Sequence, residues 1–158
     1  MQSIVKNLIE YVGIVDYADL PTSMDSFKQL TVQENLTIPD AKPDIEQIIR
    51  VMVEAKITST KIIETPIGKS LEGQILTGRK IIIEGILNQK IEYVADEPTQ
   101  AVHAAHFKVP FSTFIVLPED FEDGTFVTII PYIEDIFAKQ IDKRNIFKNV
   151  TFLLHAIY

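Results

Sequence analysis

No cysteine occurs in the sequence, which removes disulfide cross-linking and thiolate metal ligation while leaving the redox compartment open. Tryptophan is also missing, and only 3 histidines occur among 158 residues, so a zinc site needing three or four ligands has little to draw on. A basic excess is absent too: 22 acids against 15 bases give a formal net charge of -7. A surface of that sign repels phosphate, which excludes nucleic acid as a partner. The apolar start, residues 4–15, is broken by Lys6, Asn7 and Glu10. It therefore lacks the continuous core of a signal peptide or a membrane span, and membrane insertion is not expected. Neither the Walker nor the dinucleotide glycine spacing is present, and no Gly-x-Ser-x-Gly elbow appears. Gly68, Gly73, Gly78 and Gly85 read as turns. No catalytic residues, cofactor or metal are expected, and the enzyme class is the minority reading.

What is present is ordinary globular material, 46% hydrophobic and 23% charged, long enough for one domain with a substantial core. Alternation dominates. From residue 79 to 95 the odd positions Ile81, Ile83, Gly85, Leu87, Ile91 and Tyr93 are mostly apolar and their even neighbours mostly polar, the pattern of a half-buried strand. Its length predicts a bend or bulge near Gly85 or a break near Asn88. A second odd-numbered stripe runs from Phe107 to Leu117, and Pro110 within it argues for an edge strand or a bulge. Residues 125–137 and 149–158 are apolar on both faces, so both are expected to be covered on two sides, joined by a hairpin turn within 139–145. Residues 50–65 are β-rich and expected to end at Pro66 and Gly68.

Helix signals are few. Asp44 and Gln47 have capping-box spacing ahead of Ile45, Ile48, Ile49 and Met52, which predicts a turn or two of helix. Ile4, Val5, Leu8, Ile9 and Val12 recur at helical spacing between Ser3 and Gly13; helix is preferred there over a strand beginning near Leu8. The fold class expected is all-β, a mainly antiparallel sandwich or partly open barrel with one or two short helices. Residues 1–26 form an N-terminal appendage and connector, and 27–158 the β domain.

Charged and aromatic groups offer weak sites. His103 and His106 would point to opposite faces of a strand. Glu119, Asp120, Glu122 and Asp123 lack EF-hand spacing and read as a solvated loop. The basic group Lys139, Lys143, Arg144 and Lys148 could steer an acidic loop of a second copy, although two solvated loops are the plainer reading. Five tyrosines, Tyr11, Tyr17, Tyr93, Tyr132 and Tyr158, could stack on sugars, but aromatic residues more often fill cores.

The most specific segment is the proline corner Leu36-Thr-Ile38-Pro39-Asp-Ala-Lys42-Pro43-Asp44-Ile45, in which two prolines fix the backbone between two ordered elements. Followed in order by residues 78–87 with Gly85, by 91–94, by Val102-His103 and by Val109-Pro110-Phe111, it resembles the SPOCS domain of spore-forming Firmicutes, found in SipL-like coat morphogenesis proteins of Clostridia. The resemblance covers roughly residues 30–158. It implies a non-enzymatic role in building spore surface layers, with synthesis in the mother-cell cytosol and partners among other coat proteins or copies of the chain itself. No LysM peptidoglycan-binding module occurs in this sequence, so anchoring through one is not implied.

Within that frame the leading expectation is a structural spore-surface protein that self-assembles through β-edge contacts into a layer or filament. The alternative is an adaptor docking on a coat ATPase or another coat protein. Open sheet edges can accept a strand from a neighbour. The candidate donor arm is Ile4, Val5, Leu8, Ile9, Tyr11, Val12 and Ile14, and its removal is expected to leave a folded monomer.

Overall fold

The alternating stripes fold into strands, and the computed structural model describes residues 2–158 as two β-sheets packed face to face. In chain order the strands are β1 (Gln2–Lys6), β2 (Ile9–Ile14), β3 (Phe27–Thr37), β4 (Ile45–Lys69), β5 (Ile75–Ala95), β6 (Val102–Val116), β7 (Thr128–Gln140) and β8 (Asn145–Ile157), with a 3-10 turn at Tyr17–Asp19. Five form the larger sheet in the order β1-β2-β4-β5-β6, and three the smaller in the order β3-β8-β7. The described strands pair antiparallel except for β2 on β4, which is parallel. The chain is thus an all-β sandwich, with neither sheet closed into a barrel.

Parity decides what is buried. Ile81, Ile83, Leu87, Ile91 and Tyr93 of β5 face Ile146, Val150, Phe152 and Leu154 of β8, and all are buried. Burial of each such side chain contributes about 1.5–3 kcal/mol. Phe111 of β6 meets Phe152 edge-on at 4.9 Å, and its ring lies over Gly85. A Cβ at Gly85 would sit 2.3 Å from Phe111 Cζ and 2.7 Å from the Lys56 carbonyl oxygen, so the missing side chain is a packing requirement. Gly85→Ala should lower stability by about 1–3 kcal/mol through overpacking. A shift of the urea midpoint at unchanged slope checks this, and an unshifted midpoint would contradict it.

Pro110 does lie in an edge strand, since β6 ends the larger sheet. The irregularity expected near Gly85 is in the partner strand: register slips between Ile57 and Ser59, opposite Gly85 and Glu84, while β5 runs unbroken through Asn88. The hairpin expected between 137 and 149 forms as β7–β8, but the outer face of the smaller sheet is not fully covered, and Phe137 is exposed there.

Three local expectations are corrected. Residues 44–52 contain no helix; they open β4. Register shifts between Ile45 and Gln47 and between Ile48 and Arg50 each insert one residue, so inward side chains fall three apart and imitate a helical stripe. Pro66 does not end its strand either, because β4 absorbs it in a fourth irregularity between Glu64 and Ile67 and continues to Lys69. The N-terminal segment is a β-hairpin rather than a helix, turning at Asn7 (φ 51°) and Leu8 (φ 67°).

Candidate assembly surface

The proline corner carries the chain from the smaller sheet to the larger one. Leu36, Ile38 and Ile45 anchor it in the core, and Tyr93 donates its hydroxyl hydrogen bond to the Pro43 carbonyl at 2.8 Å. Burial raises the pKa of that phenol. The Arg144 guanidinium, from the β7–β8 turn, donates to the carbonyls of Ile38, Pro39 and Lys42 and to the Asp44 carboxylate, at 2.9, 2.7, 2.7 and 3.1 Å. Backbone bonds Ile38 N to Arg144 O and Ile45 N to Lys143 O close the same junction. Lys143 pairs with Asp96 at 2.7 Å, and that bond holds its pKa above the usual lysine value. The corner is therefore a structural joint. Lys42 takes part through its backbone, its carbonyl accepting from Arg144 and its amide donating to the Pro39 carbonyl at 2.9 Å.

The candidate arm is docked on its own chain. Glu10, Tyr11 and Val12 pair in parallel with Arg50, Val51 and Met52, and Ile9, Tyr11 and Ile14 are buried while Ile4 packs against the core. The Tyr11 hydroxyl donates to the Ala138 carbonyl at 3.3 Å and accepts from the Ala138 amide at 3.1 Å, tying the arm to the opposite sheet. Arg50 bonds Glu10 at 2.9 Å and Glu92 at 3.1 Å; the Ser3 hydroxyl and then Arg50 hold the Glu10 carboxyl below its usual pKa. Gly13 (φ 116°) lets the strand leave β4: a Cβ there would lie 2.1 Å from the Val53 carbonyl oxygen. Val15 N then bonds Ile133 O of β7 at 2.8 Å. Only Val5 and Leu8 of the arm are strongly exposed.

The largest unpartnered apolar feature is one the sequence reading left unmarked. β4 and β5 are 25 and 21 residues long, whereas β6 pairs with β5 only from Lys80 onward and β2 meets β4 only as far as Met52. Residues 64–69 and 75–79 therefore project as a two-stranded ribbon, and Ile67, Leu71, Ile75 and Leu76 are exposed on it, Leu71 completely. At roughly 3.3 Å per residue the ribbon extends on the order of 20 Å. Its base is braced by Arg79, which bonds both Asp123 carboxylate oxygens at 2.8 and 3.0 Å and holds that carboxyl below its usual pKa. Exposed Phe126 lies beside the base, near Thr60, Ile62 and Ile81.

Half of the charged groups considered from sequence are occupied within the chain. Arg144 and Lys143 hold the corner, Lys148 is buried, and Asp123 braces the ribbon, so the basic group considered for steering loses three of its four members and the acidic loop one of its four. His103 stacks on Tyr93 at 6.0 Å, while His106 is exposed. Tyr11 and Tyr93 belong to the core. A family model described as SipL, SPOCS domain matches residues 44–141, well over half of the chain. That span begins at the last acid of the corner and leaves Leu36 to Pro43 outside, a narrower stretch than the resemblance read from sequence. No curated protein and no solved structure matches the chain.

Proposed function

Because the chain belongs to the SipL, SPOCS domain family, we propose that it is a non-enzymatic structural protein of the spore surface that assembles with copies of itself through open β-edges. The projecting β4–β5 ribbon carries this reading. Among the described residues, the outer edge of β4 has no ladder partner beyond Met52, β5 has no β6 beside it before Lys80, and the tip bears apolar side chains facing solvent. Open edges of this kind invite pairing, and exposed apolar groups supply affinity to it. Lys56, Lys61, Lys69 and Pro66 on β4 restrain indiscriminate pairing, since charge and proline are the usual protection of edges. The family supports a spore-associated role.

The test is electron microscopy and size-exclusion chromatography of the pure protein beside an Ile67→Asp/Leu71→Asp double variant. Both positions are exposed, so the variant should keep the circular dichroism of the parent. The parent is expected to form fibres or sheets, and the variant to remain monomeric. A parent that stays monomeric at high concentration, or a variant that assembles as well as the parent, would sink the proposal. A parent that stays monomeric but binds one purified coat protein through the ribbon would favour the adaptor reading.

A further inference from the structure

Between the sheets lies a buried polar cluster that the assembly reading does not use. Lys148 on β8 and Glu34 on β3 are directly paired cross-strand neighbours whose side chains point inward. Gln89 reaches them from β5 of the other sheet. Lys148 is 0% exposed and Gln89 3%. The Gln89 amide donates to Glu34 Oε1 at 2.7 Å, and Lys148 Nζ lies 3.0 Å from that same oxygen. One carboxylate oxygen thus touches both the amine and the carboxamide.

The charged arrangement satisfies these groups poorly. Lys148 Nζ sits at salt-bridge distance but without hydrogen-bond alignment, and Gln89 Oε1 has no partner at all. A buried ion with a single partner bears a desolvation cost that one contact rarely offsets. Burial pushes the Lys148 pKa down against the pull of Glu34. The neutral alternative sets a free amine beside a carboxylic acid and leaves no ion in the interior. A half-turn of the Gln89 amide, whose oxygen and nitrogen are assigned rather than distinguished by shape, would then let that acid donate to Oε1.

We propose that Lys148 and Gln89 condense into an isopeptide bond across the sandwich, with Glu34 relaying the proton. The neutral Nζ attacks Gln89 Cδ, polarised by the protonated Glu34. The Nζ–Cδ bond forms, the Cδ–Nε2 bond breaks, and a proton released by Nζ passes through Glu34 to Nε2, which leaves as ammonia. No oxidant, metal or second substrate enters. The amine and the carboxamide converge on one carboxylate oxygen, at 3.0 and 2.7 Å, with Lys148 and Gln89 both buried, an arrangement that supplies nearness and a proton path to the condensation. The product is a secondary amide that removes the buried charge and joins β8 to β5 covalently.

Mass spectrometry of the intact, purified chain tests this, combined with tryptic mapping. The expected mass is lower than that of the sequence by one ammonia, with residues 81–90 recovered joined to residues 145–158, because a linked Lys148 is no longer a cleavage site. Lys148→Met and Glu34→Gln variants should keep the full mass and yield both peptides separately. A folded parent chain of full mass would overturn the proposal. So would an ammonia loss located elsewhere, such as at an asparagine or a terminal glutamine.

Discussion

A chain lacking residues 1–14 is expected to lose its cooperative thermal transition and to bind hydrophobic dyes, instead of persisting as a soluble monomer. Ile9, Tyr11 and Ile14 are buried among the core residues of both sheets, and at about 1.5–3 kcal/mol per side chain their loss amounts to roughly 5–9 kcal/mol. That is comparable with the whole stability of an ordinary domain. The Tyr11 hydroxyl is the partner of both Ala138 backbone groups, and deletion would leave that pair in β7 without it. Circular dichroism melts of the truncated and intact chains decide the matter. Cooperative melting within a few degrees of the parent would show that the arm is dispensable to the fold. A milder variant, Tyr11→Phe, retains the ring and removes only the hydroxyl, so it should cost about 1–2 kcal/mol.

Replacing Arg144 by alanine should be the most damaging single exchange at the surface. Its guanidinium serves three carbonyls and one carboxylate at the joint between the sheets. Without it, the carbonyls of buried Ile38 and half-buried Lys42 lose their donor. Charge-assisted bonds and orphaned acceptors together put the loss at about 3 kcal/mol, or roughly 10 °C in melting temperature for a domain of this size. Arg144→Lys should recover less than half of it, because a single ammonium cannot span four acceptors set around a planar fork. A lysine variant as stable as the parent would show that charge, not geometry, holds the corner.

How much of this was legible in the sequence depended on whether period two survived. The β5 and β6 stripes and the β7–β8 hairpin read directly, and Pro110 marked its edge strand. Where bulges intervene, as at the start of β4, the inward residues Ile45, Ile48 and Val51 fall three apart, and a strand reads as a helix. The N-terminal hairpin was concealed by its turn, since Leu8 occupies a left-handed position that glycine normally marks. The ribbon could not be read because it depends on where neighbouring strands stop, which is tertiary information. The buried cluster did leave a signal: Gln89 falls on the inward parity of β5, and Lys148 on that of β8. A polar residue on an apolar stripe predicts a partner across the interior.

The order of strands in the smaller sheet bears on when the protein can fold. β8 lies between β3 and β7 and pairs with both, so neither has its ladder until the ribosome has made residues 145–157. Arg144, which fastens the corner, emerges just ahead of them. The proline corner and all five of the larger sheet's strands are thus synthesised well before the elements that lock them in place. Closure by so late a strand makes the contacts long-range and the folding slow. A nascent chain interrupted before β8 would present β3 and β7 as bare edges. Committing the central strand last ties folding to synthesis through that strand, and leaves chains interrupted before it as substrates for quality control.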